Sequence, residues 1–430
     1  MHGETGGLTP FDLAAMLVVA SALLGWFNHH FIKLPHVIGL TVMGAVAAVA
    51  LLLANAFIPG VTMDDTVARL LEEMNFTDTL LDGMLSFLLF AGALHVDLDR
   101  LRADWVPVLL LSTVGVIIST LVVGLAMWGV GTLLALPIGT IWYFVFGALI
   151  APTDPVSVLG VLKEEKVEES LQATVAGESL FNDGVGIVVF VILLGAAVTG
   201  QDFSLAEGAR LFVMEAGGGI LIGLIFGYMG YRAMRSMDEY ALEVTITLAV
   251  VMGGYALCSW LHISGPLAMA VAGLLIGNHG MTYAMSDVTR DYTIKFWEVV
   301  DELLNSVLFL LIGLEMIVLV PGLSHLWLAL LAIPITLGAR AIAVTLSTKV
   351  VPAAKPKAEG AWGVLWWGGL RGGISIALAL SLPAGETRDL LVAATFAAVL
   401  FSVLVQRATL GRFIERGPVP HGDGAPESLG

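Results

Sequence analysis

The stretch Gly177-Glu178-Ser179-Leu180-Phe181-Asn182-Asp183-Gly184 sets two carboxylates, an amide and a hydroxyl inside an otherwise apolar run. On a helix, residues four apart are neighbours, so Glu178 lies beside Asn182 and Ser179 beside Asp183. The four polar side chains therefore form one stripe. The surrounding segment, 170–198, exceeds the roughly 20 residues a helix needs to cross a hydrocarbon layer. An ionisable group at that depth costs several kcal/mol unless paired or hydrated, so its presence points to function. A purely structural seam between helices would not need this mixture. An all-oxygen donor set of this kind suits a hard cation such as Na⁺.

The rest of the chain supplies the same solvent. Of 430 residues 57% are hydrophobic and only 13% charged, against roughly 25% charged in a soluble domain. The fold class expected is an all-α integral membrane protein. Apolar runs predict thirteen spans: 10–28, 36–57, 78–94, 104–131, 138–162, 170–198, 209–231, 240–260, 265–278, 295–317, 324–348, 360–383 and 388–412. None reads as a removable signal peptide. Lipid leaves helices as the way to satisfy backbone groups in runs of this length.

Basic residues test this count. One set of loop sides holds Lys33, Arg100, Arg102, Lys163, Lys166, Arg232, Arg235, Arg290, Lys295, Lys349, Lys355, Lys357, Arg407, Arg412 and Arg416; the opposite sides hold only Arg69, Arg210 and Arg388. Positive charge collects on the cytoplasmic side, which puts the N-terminus outside and the C-terminus in the cytoplasm. The acidic segment Asp64–Asp78 then falls outside, as an amphipathic surface helix. Residues 1–416 form one transmembrane domain, and residues 417–430 read as a disordered cytoplasmic tail. A net charge of −16 argues against nucleic acid as a partner. No P-loop occurs, so no ATP is expected to be used, and no cofactor is implied. The single Cys258 is read as a small buried hydrophobe.

Two more segments place polar groups at mid-span. Ala151-Pro152-Thr153-Asp154-Pro155 sets two prolines within four residues in the fifth span. They break the helical ladder, and the freed carbonyls can line a cation site. A bare kink would need no Asp154. In the twelfth span, Trp366-Trp367-Gly368-Gly369-Leu370-Arg371-Gly372-Gly373-Ile374-Ser375 surrounds a buried arginine with four glycines. Arginine keeps its charge, so Arg371 must face carboxylates or the ends of half-helices. Arg340 in the eleventh span needs a partner for the same reason. If spans 1–6 (about 10–198) pair with spans 8–13 (about 240–412) around a linker helix at 209–231, the broken fifth and twelfth spans correspond. An odd offset of seven makes the halves inverted repeats crossing near the midplane, a transporter layout.

Thr153-Asp154-Pro155, the run from Gly177 to Asp183 and Gly369-Leu370-Arg371-Gly372 together resemble the monovalent cation/proton antiporter family of NhaP-like and animal Na⁺/H⁺ exchangers. Asp301-Glu302-Leu303-Leu304-Asn305 adds to the likeness. The resemblance runs from about Leu34 to the last span. It implies that Asp183 binds cation and proton alternately, with Ser179 and the Thr153 carbonyl as further ligands and Asp154 close by. It implies that Asn182 holds the two breaks together, that Glu178 pairs with Arg340 as a structural ion pair, and that Arg371 supports the crossing. It further implies a homodimer in the plasma membrane (bacterial inner membrane). Relatives often carry an acid where Leu88-Leu89-Phe90-Ala91-Gly92 has Ala91, so this site has one carboxylate fewer.

The expected transport is electroneutral one-for-one exchange of Na⁺ for H⁺, because Asp⁻·Na⁺ and Asp–H both carry no net charge. A second acid in place of Asn182, as in electrogenic relatives, would permit two protons. K⁺/H⁺ exchange by the same mechanism is the alternative. A cation channel would show the same polar residues without coupling to protons. An intramembrane aspartyl enzyme using Asp154 and Asp183 would leave the buried arginines without a role.

Overall fold

Prolines and glycines decide where the long helices of this chain are interrupted. The computed structural model describes residues 10–57, 76–200, 204–315, 326–350 and 360–416, and these are helical almost throughout. The elements are α1 (Pro10–Phe27), α2 (His36–Phe57), α3 (Phe76–Leu94), α4 (Leu98–Ala103), α5 (Trp105–Ser112), α6 (Val114–Leu133), α7 (Thr140–Leu149), α8 (Pro155–Glu164) and α9 (Glu169–Thr199). They continue with α10 (Leu205–Met234), α11 (Tyr240–Leu261), α12 (Gly265–Leu275), α13 (Asp287–Glu315), α14 (Leu326–Val350), α15 (Ala361–Trp367), α16 (Gly373–Leu380), α17 (Glu386–Phe401) and α18 (Arg407–Arg416). Helix is found at each of the thirteen expected segments. Among the described residues, seven helical stretches are long and apolar enough to cross a membrane by length and composition: Ala14–Ile32, Trp105–Leu133, Glu169–Thr199, Leu205–Met234, Tyr240–Leu261, Trp327–Thr348 and Glu386–Arg416.

The segment expected as one span over 104–131 runs as one helical stretch, Trp105–Leu133, with a local irregularity at Thr113, whose hydroxyl donates to the Leu109 carbonyl at 2.5 Å. One boundary differs from the sequence reading. Helix α13 begins at Asp287, eight residues before the expected 295, through an amphipathic stretch that hydropathy does not register. The expected surface helix over Asp64–Asp78 falls mostly on 58–75, outside the described residues. The tail 417–430 also lies outside them.

The chain divides into two units by contact, residues 1–84 with 299–323, and residues 85–298 with 324–430. In the first, the His36 ring and the Ser306 hydroxyl hydrogen-bond at 2.8 Å. The second holds every candidate site residue. Within it, α10 packs closely against α12. A Cβ on Gly219 would come within 2.6 Å of the Ser264 carbonyl, and one on Gly227 within 3.1 Å of the Ala272 backbone. The stripe Gly219, Gly223, Gly227 is thus the contact surface that lets two backbones approach.

Candidate functional site

Leu149 ends α7 and Pro155 opens α8, leaving 150–154 outside the helices. Proline suits the first helical position because its missing N–H would have no partner there anyway. In the same way α15 stops at Trp367 and α16 restarts at Gly373. The two interruptions lie side by side, the Asp154 N–H donating to the Leu370 carbonyl at 2.7 Å. A Cβ on Gly372 would sit 2.7 Å from the Asp154 Cβ, and one on Gly369 would sit 2.6 Å from the Arg340 Nε. Only a residue without a side chain allows this approach.

Several backbone groups freed by the breaks find partners across the fold, as burial requires. Arg371 donates through Nη1 to the Ala151 carbonyl and, at 3.1 Å, to the Pro152 carbonyl. These carbonyls lie just past the C-terminal end of half-helix α7, where partial negative charge gathers. The Arg371 N–H donates to the Ser402 hydroxyl at 2.8 Å, which donates to Gln406 Oε1 at 2.7 Å; Gln406 Nε2 donates to the Trp367 carbonyl at 3.2 Å. Ser402 and Gln406 were missed in the sequence reading, although two polar residues four apart in an apolar helix are a legible signal.

Helix α9 runs unbroken beside the first break and carries the polar stripe. Thr153 N–H donates to Asn182 Oδ1 at 3.2 Å. Asn182 Nδ2 donates to Thr153 Oγ1 and to Glu178 Oε1, both at 2.7 Å. The hydroxyls of Thr153 and Ser179 are 3.0 Å apart. Asn182 therefore ties α9 to the first break. The link between the two breaks is carried by Arg371 and by the Asp154 backbone, not by Asn182. Glu178 receives Arg340 in a fork, Nη1 to Oε1 at 2.8 Å and Nη2 to Oε2 at 2.9 Å. Arg340 Nε donates to the Leu365 carbonyl at 3.0 Å. A planar fork on a carboxylate is the geometry that arginine is shaped for.

Asp183 stands apart. It is 1% exposed, and its Oδ1 has no hydrogen-bond partner among the described residues. The Thr153 backbone faces its carboxylate, and Asp154, Glu178 and Arg371 lie near enough to act on it electrostatically. Glu178 has its charge matched by a guanidinium at hydrogen-bond distance. A carboxylate such as Asp183, with an oxygen left unmatched, needs a proton or a cation to complete its coordination. Thr153, Ser179, Asn182 and Asp183 are all buried, and Asp154 is half-buried at the α16 N-terminus. Ala91 is buried as well, and its carbonyl accepts from the His95 ring at 2.9 Å.

The transmembrane sodium/hydrogen exchanger family matches residues 18–416. The chain belongs to the sodium/hydrogen exchanger family. It is 43% identical over 410 residues to the Na⁺/H⁺ antiporter NhaP of Pseudomonas aeruginosa, covering 94% of this chain and 96% of that one. It is 35% identical over 377 residues to the Na⁺/H⁺ antiporter NhaH of Halobacillus dabanensis, covering 86% and 91%. The fold resembles that of the sodium proton antiporter MjNhaP1 from Methanocaldococcus jannaschii, with a TM-score of 0.76 at 21% identity, over 95% of this chain and 98% of that one. Sodium/hydrogen exchangers are multi-pass membrane transporters rather than enzymes. The buried polar network on α9 and the two breaks belongs to that transport fold.

Proposed function

We propose that this sodium/hydrogen exchanger moves one Na⁺ against one proton, with Asp183 holding either. The observation that carries the proposal is the contrast between two buried acids five residues apart on α9. Glu178 is fully paired, while Asp183 keeps an unpartnered oxygen beside broken backbone. Ser179, the Thr153 carbonyl and, through water, Asp154 complete the cation's oxygen shell. Asn182 and Arg371 hold the frame, and the Glu178–Arg340 pair stabilises it. Oxygen ligands at a break between half-helices are the usual way a transporter dehydrates a small cation.

Cation and proton exclude each other at Asp183, and each loaded form is neutral there. The membrane potential does little work on a crossing that moves no net charge. The site then passes between sides as the broken-helix core moves. In the proposed topology thirteen spans form two inverted repeats around α10, with the N-terminus outside, in a homodimer of the plasma membrane. The test is proton movement in sealed proteoliposomes loaded with a pH dye, on adding Na⁺, K⁺ or Li⁺ outside. Na⁺ should move protons equally with and without a valinomycin clamp, and Asp183→Asn should abolish the signal in folded protein. Charge movement with no proton coupling would replace the exchanger reading with a channel.

A further inference from the structure

Gly372 stands where a helix-capping side chain would normally be. It is the N-cap of α16, and as a glycine it offers the helix no side-chain cap. The first turn of a helix carries N–H groups that the helix itself cannot bond, and a Ser, Thr, Asp or Asn at the N-cap commonly accepts from them. Here another residue fills the space such a side chain would take. A Cβ on Gly372 would come within 2.7 Å of the Asp154 Cβ, 3.2 Å of its Cγ and 3.4 Å of its Oδ2. The missing side chain makes room for a carboxylate brought in from the first break. It does so at the end of α16 where partial positive charge gathers.

Ser375 is the third residue of α16. In a capping box the side chain at this position reaches back toward the N-cap, and every Cα–Cβ bond of a helix leans toward its N-terminus. Ser375 is 0% exposed, and its hydroxyl has no hydrogen-bond partner among the described residues. A buried hydroxyl is costly when left unpaired, and native folds rarely leave one so. A free hydroxyl, the unbonded N–H groups of a first turn and a nearby carboxylate are the kind of polar partners a buried water needs. A bound anion does not fit there, because Asp154 already brings the negative charge that a helix N-terminus attracts. The place matters for transport. Helix α16 packs against α7 and α9, and Asp154 acts electrostatically on Asp183.

We infer that Ser375 is a positioning residue for the cation site: its hydroxyl and the first N–H groups of α16 hold a water against the Asp154 carboxylate and so fix how Asp154 faces the cation at Asp183. The inference rests on the Asp183 reading above and adds to it the group that orients Asp154. A water held in this way bridges nearly as well as a direct hydrogen bond. Ser375 itself touches neither the cation nor the proton. Its loss therefore weakens cation binding and leaves the moving parts as they were.

The experiment is Na⁺-driven proton movement by the full-length chain in proteoliposomes. Calorimetric titration of the detergent-purified chain with Na⁺ at alkaline pH gives a second readout that needs no transport. Ser375→Ala should raise the apparent KM and the Kd for Na⁺ together, by up to about tenfold, the worth of a hydrogen bond to a charged group. The maximal rate should stay near that of the wild type. Asp154→Asn should raise both constants as well, and Ser375→Ala added to it should change nothing more, because the two act through one water. Unchanged KM and Kd in Ser375→Ala, or an effect that multiplies with that of Asp154→Asn, would overturn the inference. So would a lower maximal rate at unchanged KM, the mark of a residue that only packs. Failure of Asp183 as the transport site would show separately, as undiminished proton exchange by Asp183→Asn.

Discussion

Removing Arg340 should destabilise this protein more than any change to its lipid-facing surface. Glu178 and Arg340 have side chains only 1% and 8% exposed, and they share two hydrogen bonds at 2.8 and 2.9 Å. In Arg340→Met, Glu178 keeps a single donor, Asn182, and the Leu365 carbonyl loses its only side-chain donor among the described residues. Breaking one side of a buried pair costs about 3–5 kcal/mol, because the surviving charge stays buried. The orphaned carbonyl adds about 1 kcal/mol or more. Together these would consume a large part of an ordinary protein's stability. Glu178→Gln should cost a similar amount by stranding the guanidinium. The double variant Glu178→Gln/Arg340→Met buries no charge, so it should recover much of the loss. Thermal unfolding in detergent, followed by the monodisperse fraction on size exclusion, gives the cycle. The reasoning is refuted if either single variant melts where the wild type does, or if the double variant loses the sum of the two.

Asn182→Asp should harm folding as well as transport, since Nδ2 donates at 2.7 Å to both Glu178 and Thr153 and a carboxylate there would meet Glu178 head-on; yield and melting temperature report it. Arg371→Gln should abolish exchange in proteoliposomes, because the Ala151 and Pro152 carbonyls lose the charge that holds them, whereas Ser402→Ala should only reduce it. Gly219→Leu should lower stability by about 1–3 kcal/mol or more through overpacking against the Ser264 carbonyl, while Gly217→Leu, with nothing within 4 Å of its Cβ, should be neutral in the same melting assay.

Much of this was legible because lipid simplifies the code. Apolar runs had to be helices, and Pro152, Pro155 and the glycines from 368 to 373 had to interrupt them. The α9 stripe followed from spacing alone, so the Glu178–Asn182 contact could be read before any coordinates. Partners across the fold could not be read. Arg371 could have faced carboxylates or half-helix ends, and choosing between them required knowing that the first break lies against it. The family resemblance implied that Asn182 joins the two breaks; its amide bonds Thr153 in the first break and Glu178 on its own helix. Helix α13 extends back to Asp287 through a stretch whose charges hide it from hydropathy.

The central claim is that Na⁺ and a proton compete for one carboxylate, and the dependence of transport kinetics on pH tests it most directly. Initial rates of Na⁺-driven proton movement in proteoliposomes would be measured over a range of Na⁺ at each of several pH values. Competition at Asp183 predicts that, on the acid side, the apparent KM for Na⁺ rises about tenfold per pH unit by mass action, while saturating Na⁺ restores the same maximal rate. An apparent KM that ignores pH while the maximal rate falls would contradict the account, because the proton would then act somewhere other than where the cation binds.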